Sequence, residues 1–277
     1  MIRHEKGLVR RATVTAVVFT YNSAGSLLKK VLEAIWWVDE IVVVDMESTD
    51  DTATLCSKYT DKFFVHNEGE NINANFNFGY QQASCEYILH ISHDYIISPE
   101  LKREISEVLS DGAYSNVDIY EMGIINYFFG HAVRLSVWEK TRMPLLFRKG
   151  MVMYPTYRLE TWPKLLSRKR RLLKNPIQHY TADRISELVR KYNRYSDIEI
   201  RNNPSVFPLI NNPLLLALSG IGFWFYNYIF RGGFRYGMPG VIVCFLQGFY
   251  YFLQRAKRWE RYQKEQERIP WDQNLQP

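Results

Sequence analysis

Residues 13–110 alternate between two kinds of apolar pattern, and this alternation constrains the fold more than any other feature. Residues 14–19 form a β-branched, apolar run, as expected for a strand buried on both faces. A second such run, residues 41–45, ends in a carboxylate. Between the two runs, residues 27–35 repeat apolar side chains at helical spacing. The alternation predicts an α/β fold, a three-layer sandwich around a mainly parallel central sheet.

The same pattern continues along the chain. Residues 63–66 and 87–91 predict two further strands, and residues 72–83 predict a helix between them. Ser98 and Pro99 begin a helix with regularly spaced apolar residues. Residues 183–201 place apolar side chains on one face and predict another helix.

Bulk composition limits the class of protein. The chain has 277 residues, of which 47% are hydrophobic and 23% charged, so it should be globular. The net charge of +6 favours anionic partners: phosphates, nucleic acid or an anionic membrane surface. The three cysteines are far apart and form no CxxC, which fits a reducing compartment. No apolar run follows the charged N-terminus, so we expect no secretory signal.

Two stretches near the C-terminus, residues 213–230 and 238–254, contain no charged residue. Each is near the lower limit of about 17–25 residues for crossing a membrane. A transmembrane hairpin would carry Arg231 and Arg235 across the bilayer, against the positive-inside tendency. We therefore favour interfacial or re-entrant attachment to an anionic membrane surface, with aromatic side chains at the headgroups. Packing onto another subunit would also cover this apolar surface, so an oligomer formed through this region is an alternative.

Polar residues follow three of the predicted strands. Thr20, Tyr21 and Asn22 follow the first strand, and Asp45 ends the second. Because carboxyl ends of parallel strands meet at one edge of a sheet, these groups should lie where a nucleotide binds. A carboxylate there can accept hydrogen bonds from a base or a ribose hydroxyl. The alternative is that Asn22 and the region of Ser48 only cap helices.

The fourth strand leads into Ser92, His93 and Asp94. A carboxylate at this edge is where α/β enzymes place ligands and metals. The chain has no GxGxxG after its first strand and no GxxxxGK[ST], HExxH or GxSxG. A dinucleotide site and a P-loop NTPase are therefore not supported. Nucleic-acid binding lacks a stacking motif or a known fold signature, so we expect no nucleic-acid partner.

These motifs together resemble the opening of family 2 glycosyltransferases with the GT-A fold, and are most similar to those of bacterial lipopolysaccharide core and polysaccharide biosynthesis. The family pattern TYNE, DEIVVVDSGSTD, QKN and DADE corresponds here to TYNS, DEIVVVDMESTD, Asn75-Phe-Asn77 and Ser92-His-Asp94-Tyr95. Residues 144–150, the segment around Glu160, and residues 176–180 and 191–195 also match. The resemblance covers roughly residues 12–260.

The resemblance implies a Rossmann-like GT-A domain over residues 1–201. Its nucleotide-binding half would cover about residues 12–110 and its acceptor half about residues 111–201. A helical membrane-associating region would follow at residues 202–268, with a flexible tail at residues 269–277.

The implied activity is an inverting glycosyltransferase that moves a sugar from a nucleotide donor, most simply a UDP-sugar. The acceptor would be a lipid-linked saccharide or a lipopolysaccharide-type glycan at the cytoplasmic side of the inner membrane. Two alternatives stay open: a catalytically impaired glycosyltransferase-like binding subunit, and a polyprenyl-phosphate glycosyltransferase.

The resemblance also implies roles for individual residues. Asp94 would bind Mg²⁺ or Mn²⁺ at the diphosphate, although Ser92 replaces the family's first Asp and weakens that site. His93 could add a nitrogen ligand. Glu160 would act as general base. Phosphate or acceptor contacts would come from Arg142, Arg148 and His179. The nucleotide would contact Thr20, Tyr21, Asn22, Asp45, Ser48, Asn77, Ser92 and His93.

Overall fold

The computed structural model describes residues 11–69, 71–110, 116–135, 142–156, 162–202 and 212–267. The chain divides into two compact units. The first contains residues 1–125 and 140–180, and the second contains residues 126–139 and 181–277. The sequence predicts a boundary after residue 201, whereas the structure divides the chain after residue 180.

The elements alternate as the sequence predicts up to residue 110. The strands are β1 (Val14–Thr20), β2 (Glu40–Asp45), β3 (Phe63–Val65), β4 (Tyr87–Ser92), β5 (Tyr95–Ile96), β6 (Ile119–Met122), β7 (Ile124–Phe128), β8 (His131–Ala132), β9 (Met143–Arg148), β10 (Val152–Met153), β11 (Lys164–Leu165), β12 (Arg170–Leu172) and β13 (Ile177–Ala182). The helices are α1 (Leu28–Ile35), α2 (Thr52–Cys56), α3 (Ile72–Gln82), α4 (Pro99–Ser110), α5 (Ile185–Asn202), α6 (Pro213–Phe225) and α7 (Gly237–Glu267).

A seven-stranded sheet with the order β12-β6-β9-β4-β1-β2-β3 forms the centre of the first unit. The strands β4, β1, β2 and β3 are mutually parallel. Strand β9 runs antiparallel to both of its neighbours. The predicted α/β class with a mainly parallel sheet is confirmed, and the carboxyl ends of four adjacent strands meet at one edge.

The two faces of β1 belong to two separate apolar clusters, because successive side chains of a strand point to opposite sides. Val14, Ala16 and Val18 pack with buried residues of α1. Val17 and Phe19 pack in the second cluster, on the side of α3. A Cβ atom on Gly79 of α3 would lie 2.8 Å from Val17 Cγ1, so only glycine permits this close helix–sheet approach.

The second unit has its own core, in which α5 packs on α7. The rings of Tyr192 and Tyr250 stack with centroids 4.9 Å apart. Lys257 Nζ lies 2.6 Å from an Asp197 carboxylate oxygen, and Arg261 donates a hydrogen bond to the carbonyl of Ile200 at 3.0 Å. These contacts assign α5 to the same unit as α7, which is why the division falls before this helix rather than after it.

Helices α6 and α7 form an apolar hairpin with close packing between small residues. A Cβ atom on Gly248 would lie 2.6 Å from the carbonyl oxygen of Gly220, as in membrane helix pairs that approach through glycine. By length and composition, two segments could cross a membrane, Pro213–Phe230 and Gly233–Glu265. Only 11% of the first is buried, so the predicted C-terminal helical region is apolar enough to associate with a membrane.

Candidate active site

The loops after β1 and β2 are joined by hydrogen bonds at the carboxyl edge of the sheet. Asp45 is 2% exposed, and its two carboxylate oxygens accept bonds from the Ser48 hydroxyl at 2.5 Å and the Ser48 amide at 2.8 Å. The Asn22 amide donates to the Ser48 hydroxyl at 2.7 Å, and Asn22 Oδ1 accepts from the Thr49 amide at 2.8 Å. Three of the predicted site residues therefore form one network between the two loops.

Both loops contain a non-glycine residue with a left-handed backbone. Asn22 has φ +47° and Glu47 has φ +62°. Such conformations cost on the order of 1–3 kcal/mol and persist only where surrounding contacts impose them. The Asn22 side chain is held by Thr49, and Glu47 accepts a hydrogen bond from Asn67 Nδ2 at 2.9 Å. Backbone strain of this kind concentrates at ligand-binding sites.

Thr20 lies in register with Asp45 on the neighbouring strand and is fully buried. Within the described part of the chain, its hydroxyl has no hydrogen-bond partner. An unsatisfied buried hydroxyl costs about 1–3 kcal/mol, so this hydroxyl is a candidate contact for a ligand or a water molecule. Tyr21, the next residue, is 44% exposed and borders the same edge.

Ser92 and His93 lie at this edge as predicted. Ser92 is in register with Phe19, the residue before Thr20, and the His93 amide donates to the Phe19 carbonyl at 3.0 Å. Both residues therefore stand one strand away from Thr20.

Asp94 follows β4 and contacts a side chain from a distant part of the sequence. Its Oδ2 atom lies 3.3 Å from His179 Nε2, and its carbonyl accepts a bond from the Tyr180 amide at 2.9 Å. Strand β5 pairs antiparallel with β13, with Tyr95 opposite His179. The structure thus brings the predicted metal ligand and the predicted phosphate-contacting histidine together.

His66 is a residue of this edge that the sequence reasoning did not select as a site residue. It follows β3, and its amide donates to the Asp45 carbonyl at 2.9 Å. Its ring stacks on Phe78 with centroids 3.8 Å apart and an interplanar angle of 9°. The rule that selected Asp45 and Asp94, a polar residue directly after a parallel strand, also applies to His66.

An aromatic layer lies beneath the edge and contains a second histidine that was not anticipated. His90 is buried in β4, and its Nδ1 atom lies 2.7 Å from the Tyr80 hydroxyl. Burial lowers the pKa of His90 to about 3 and raises the pKa of Tyr80 well above its usual value. This pair is therefore neutral at physiological pH and supports the site from below.

Asn77 has a different role from the predicted nucleotide contact. Its Nδ2 atom donates to the carbonyl of Tyr154 at 2.7 Å, and its Oδ1 atom accepts from the Tyr154 amide at 2.9 Å. Because the protein backbone engages both ends of this amide, we remove Asn77 from the nucleotide pocket.

The two arginines selected as phosphate or acceptor contacts lie at opposite ends of β9. Arg148 stands opposite Tyr87, the first residue of β4, and its guanidinium lies 2.6 Å from Glu86 and 3.3 Å from Asp118. This is the amino edge of the sheet, so Arg148 is not brought to the site. Arg142 is exposed directly before β9, at the end that faces the carboxyl edge.

The described residues supply only part of a metal site. Among them, no group of three or more His, Cys, Asp or Glu side chains could hold a metal ion. Asp94 and His179 offer one carboxylate and one imidazole. This set fits a divalent cation that takes its remaining ligands from phosphate and water. Glu160, the predicted general base, lies outside the described residues.

A mainly parallel sheet with polar residues from adjacent strands at its carboxyl edge is the arrangement in which open α/β proteins bind their ligands. Residues 15–160 match the family described as glycosyl transferase family 2. This match covers more than half of the chain, which therefore belongs to that family and is a glycosyltransferase with a GT-A fold. The predicted family, fold and enzyme class are confirmed.

The names of curated relatives agree with this family. The chain is 26% identical over 261 residues to an uncharacterized glycosyltransferase of Rickettsia felis, with 88% of each chain covered. It is 22% identical over 267 residues to the lipopolysaccharide core biosynthesis glycosyltransferase LpsC of Rhizobium meliloti, covering 92% of this chain and 95% of LpsC. It is similar to S. aureus TarS 1–349 in complex with UDP-GlcNAc, with 14% identity, a TM-score of 0.45, and 91% and 92% coverage.

Proposed function

We propose that this protein is an inverting glycosyltransferase that moves a sugar from a UDP-linked donor to a lipid-linked saccharide or lipopolysaccharide-type acceptor. The observation that carries the proposal is the convergence of Asn22, Asp45 and Asp94 at one sheet edge, each from a different parallel strand. The likeness to LpsC over most of both chains supports an acceptor of the lipopolysaccharide type.

The nucleotide is bound at the ends of β1, β2 and β4. A carboxylate has about four acceptor positions, and Ser48 occupies two of those on Asp45. The remaining positions accept hydrogen bonds from a base N–H or a ribose hydroxyl. The Thr20 hydroxyl, which has no hydrogen-bond partner among the described residues, lines the pocket beside it with Tyr21 and Asn22, together with Ser92 and His93.

Asp94 and His179 hold Mg²⁺ or Mn²⁺ at the donor diphosphate. The ion supplies the charge neutralisation that departure of a nucleoside diphosphate requires. Arg142 adds a further positive charge from the exposed end of β9. Glu160 accepts the proton of the acceptor hydroxyl as general base, which an inverting displacement needs.

Titration calorimetry with UDP and Mn²⁺, run beside a transfer assay with labelled UDP-sugars and a broad acceptor panel, tests this proposal. We expect binding that depends on the metal, together with transfer. Absence of UDP binding to the purified protein would overturn the proposal.

A second candidate is a catalytically impaired binding subunit. The observation that favours it is the single carboxylate after β4, where Ser92 replaces an acid and no cluster of three ligands forms among the described residues. The same two measurements separate the candidates, because a binding subunit binds UDP without turnover. Extraction of labelled product into organic solvent identifies a polyprenyl-phosphate acceptor.

The apolar hairpin attaches the enzyme to the cytoplasmic face of the inner membrane. Large side chains on α6 and α7 are exposed, among them Leu218 at 50% and Phe245 at 63%. Residues 202–259 contain no Asp or Glu but contain five Lys or Arg residues. Each such cation near an anionic surface contributes about 1 kcal/mol to binding.

Flotation with lipid vesicles tests this attachment. We expect the protein to float with vesicles containing phosphatidylglycerol and less with pure phosphatidylcholine, since the second lacks the electrostatic term. The double substitution Leu218→Ser and Phe245→Ser should reduce flotation on both. If the same fraction of wild-type protein floats without vesicles as with them, the result would contradict attachment to the membrane.

A further inference from the structure

Four asparagines alternate along the first turns of α3, at positions 71, 73, 75 and 77. Asparagine is a poor helix former, so this repetition needs a specific reason. Asn73 and Asn77 are four residues apart and therefore share one face of the helix. Asn73 is 1% exposed and Asn75 is fully buried, so these amides are part of the interior.

Three of these asparagines bind the backbone of one distant segment, residues 154–156. We call Asn71, Asn73 and Asn77 the asparagine ladder. Its bonds run from Asn71 Nδ2 to the Thr156 carbonyl at 2.9 Å, from Asn73 Nδ2 to the Pro155 carbonyl at 2.8 Å, and from Asn77 Nδ2 to the Tyr154 carbonyl at 2.7 Å. The ladder thus holds three consecutive carbonyl groups along the helix.

Asn75 binds a different loop from the same helix. Its Oδ1 atom accepts from the Glu68 amide at 3.0 Å and lies 3.0 Å from His66 Nδ1. His66 in turn donates its amide to the Asp45 carbonyl. The start of α3 therefore contacts both the loop beside the nucleotide pocket and the segment 154–156.

We infer that the asparagine ladder is a positioning device for the acceptor side of the site. The inference rests on the proposed function. The segment 154–156 precedes Glu160 in the sequence by four residues, and the ladder fixes its register relative to the nucleotide-side loop. A displacement of about 1 Å between reacting groups can lower a rate about 100-fold, so such anchoring acts on turnover rather than on donor affinity.

The test compares Asn73→Asp and Asn77→Asp with the wild-type full chain. Each substitution keeps the side-chain shape, removes the Nδ2 donor and places an oxygen against a backbone carbonyl. We expect kcat for transfer to fall about 100-fold, while the Kd for UDP in Mn²⁺ changes less than about twofold. Asn116→Asp, at an exposed position outside the ladder, is the matched control and should leave both values unchanged.

Asn71→Ala is a second test that applies even if a buried aspartate at position 73 or 77 prevents folding. Asn71 is partly exposed at the helix N-cap, and its loss leaves the other two bonds of the ladder in place. We expect a smaller fall in kcat, about tenfold, with unchanged UDP affinity. A fall in kcat with an unchanged affinity for UDP would not result from a role in folding alone.

Two results would overturn the inference. One is wild-type kcat in the folded variants, and the other is a parallel loss of UDP affinity and kcat, which would place the ladder's effect on the donor pocket. A wild-type protein that neither binds UDP nor transfers sugar would overturn the proposed function, and the role of the ladder with it. Wild-type transfer with unaffected variants overturns the role of the ladder alone.

Discussion

The charged side chains at the two edges of the central sheet have different kinds of partner. At the amino edge, Glu40 pairs with Lys62 and accepts hydrogen bonds from both the amide and the hydroxyl of Ser84, at 2.8 and 2.6 Å. Arg148 is likewise neutralised between Glu86 and Asp118. Opposite charges thus pair at this edge, and they join strands and loops to each other.

At the carboxyl edge, Asp45 and Asp50 are held by neutral donors. Asp45 accepts from Ser48, and Asp50 accepts from Thr52 and from the Ala24 amide at 3.0 Å. Within the described ranges, neither Asp45 nor Asp50 forms an ion pair with a lysine or arginine. The paired charges of the amino edge therefore stabilise the fold, whereas the negative charges of Asp45 and Asp50 at the carboxyl edge have no lysine or arginine partner in those ranges, as the proposed function requires.

The largest expected effect of a single change is at the carboxyl edge. Asp94→Asn should lower kcat for transfer about 10²–10³-fold, because it removes the carboxylate that we propose as the metal ligand. The melting temperature should change little, since no lysine or arginine ion pair of the amino edge is touched. Kinetic assays at saturating donor and a thermal melt measure the two quantities.

Asp61→Asn, at an exposed position after α2, is the matched control for Asp94→Asn and should keep full activity. If the Asp94 variant transfers sugar at the wild-type rate, the carboxylate at the carboxyl edge has no role in catalysis.

At the amino edge, the expected effect is on stability. Glu40→Gln should lower the free energy of unfolding by about 2 kcal/mol, because it breaks charged hydrogen bonds of a side chain that is 11% exposed. The kcat of the folded variant should stay at the wild-type value. Urea unfolding and a transfer assay test both statements.

Glu33→Gln is the control for Glu40→Gln, since Glu33 is exposed and makes two long contacts, an i,i+4 pair with Lys29 at 3.8 Å and a hydrogen bond from the Tyr59 hydroxyl at 3.5 Å. We expect it to cost less than about 0.5 kcal/mol. Equal destabilisation by both variants would show that Glu40 is an ordinary surface charge.

Ser48→Ala should affect binding by a smaller amount. It removes the hydroxyl that accepts a hydrogen bond from the Asn22 backbone amide and donates one to Asp45, so both of these bonds between the two loops and the strand end are lost. We expect the Kd for UDP to rise about tenfold, equivalent to about 1.4 kcal/mol. Calorimetry measures it, and Ser57→Ala, which removes only a local bond to the Thr54 carbonyl, is the control. Unchanged affinity would remove Ser48 from the pocket.

The contribution of Glu40 to stability should also depend on pH. Burial raises the pKa of Glu40, but hydrogen bonds from Lys62, Ser84 and Thr15 outweigh it and lower the pKa from 4.5 to about 2. A depressed carboxyl pKa contributes stability above the unfolded pKa, and this contribution is lost as the pH falls through the folded value.

The difference in unfolding free energy between wild type and Glu40→Gln should therefore narrow between about pH 4.5 and pH 2. Urea titrations at several pH values measure it. A constant difference across this range would mean that Glu40 contributes through packing rather than through charge.

Much of the parallel half of the first unit could be predicted from the sequence. The apolar runs of β1 and β2 and the helical spacing of α1 are strong local signals, and the structure buries all seven positions of β1. The common position of Asn22 and Asp45 followed from a general rule about parallel strands. Asp94 was placed at the same edge by the same rule.

Other features of the site had no usable local signal. The direction of β9 depends on pairing with β4 and β6, and that direction separates Arg142 from Arg148. The asparagine ladder is visible as a repeat, but its partners are about 80 residues away in the chain. The division before α5 depends on the contact with α7.

Local sequence patterns were therefore sufficient for the α/β class, the order of the first elements, the family and the two apolar C-terminal stretches, because each depends on short-range patterns of side chains. The contacts between polar groups became known only from the folded chain. It joined Asp94 to His179, assigned Arg148 to the amino edge, and gave Asn77 a backbone partner. The physical reason is that hydrogen bonds and ion pairs act over a few ångströms, and the chain folding that brings such groups together is not encoded at any one position.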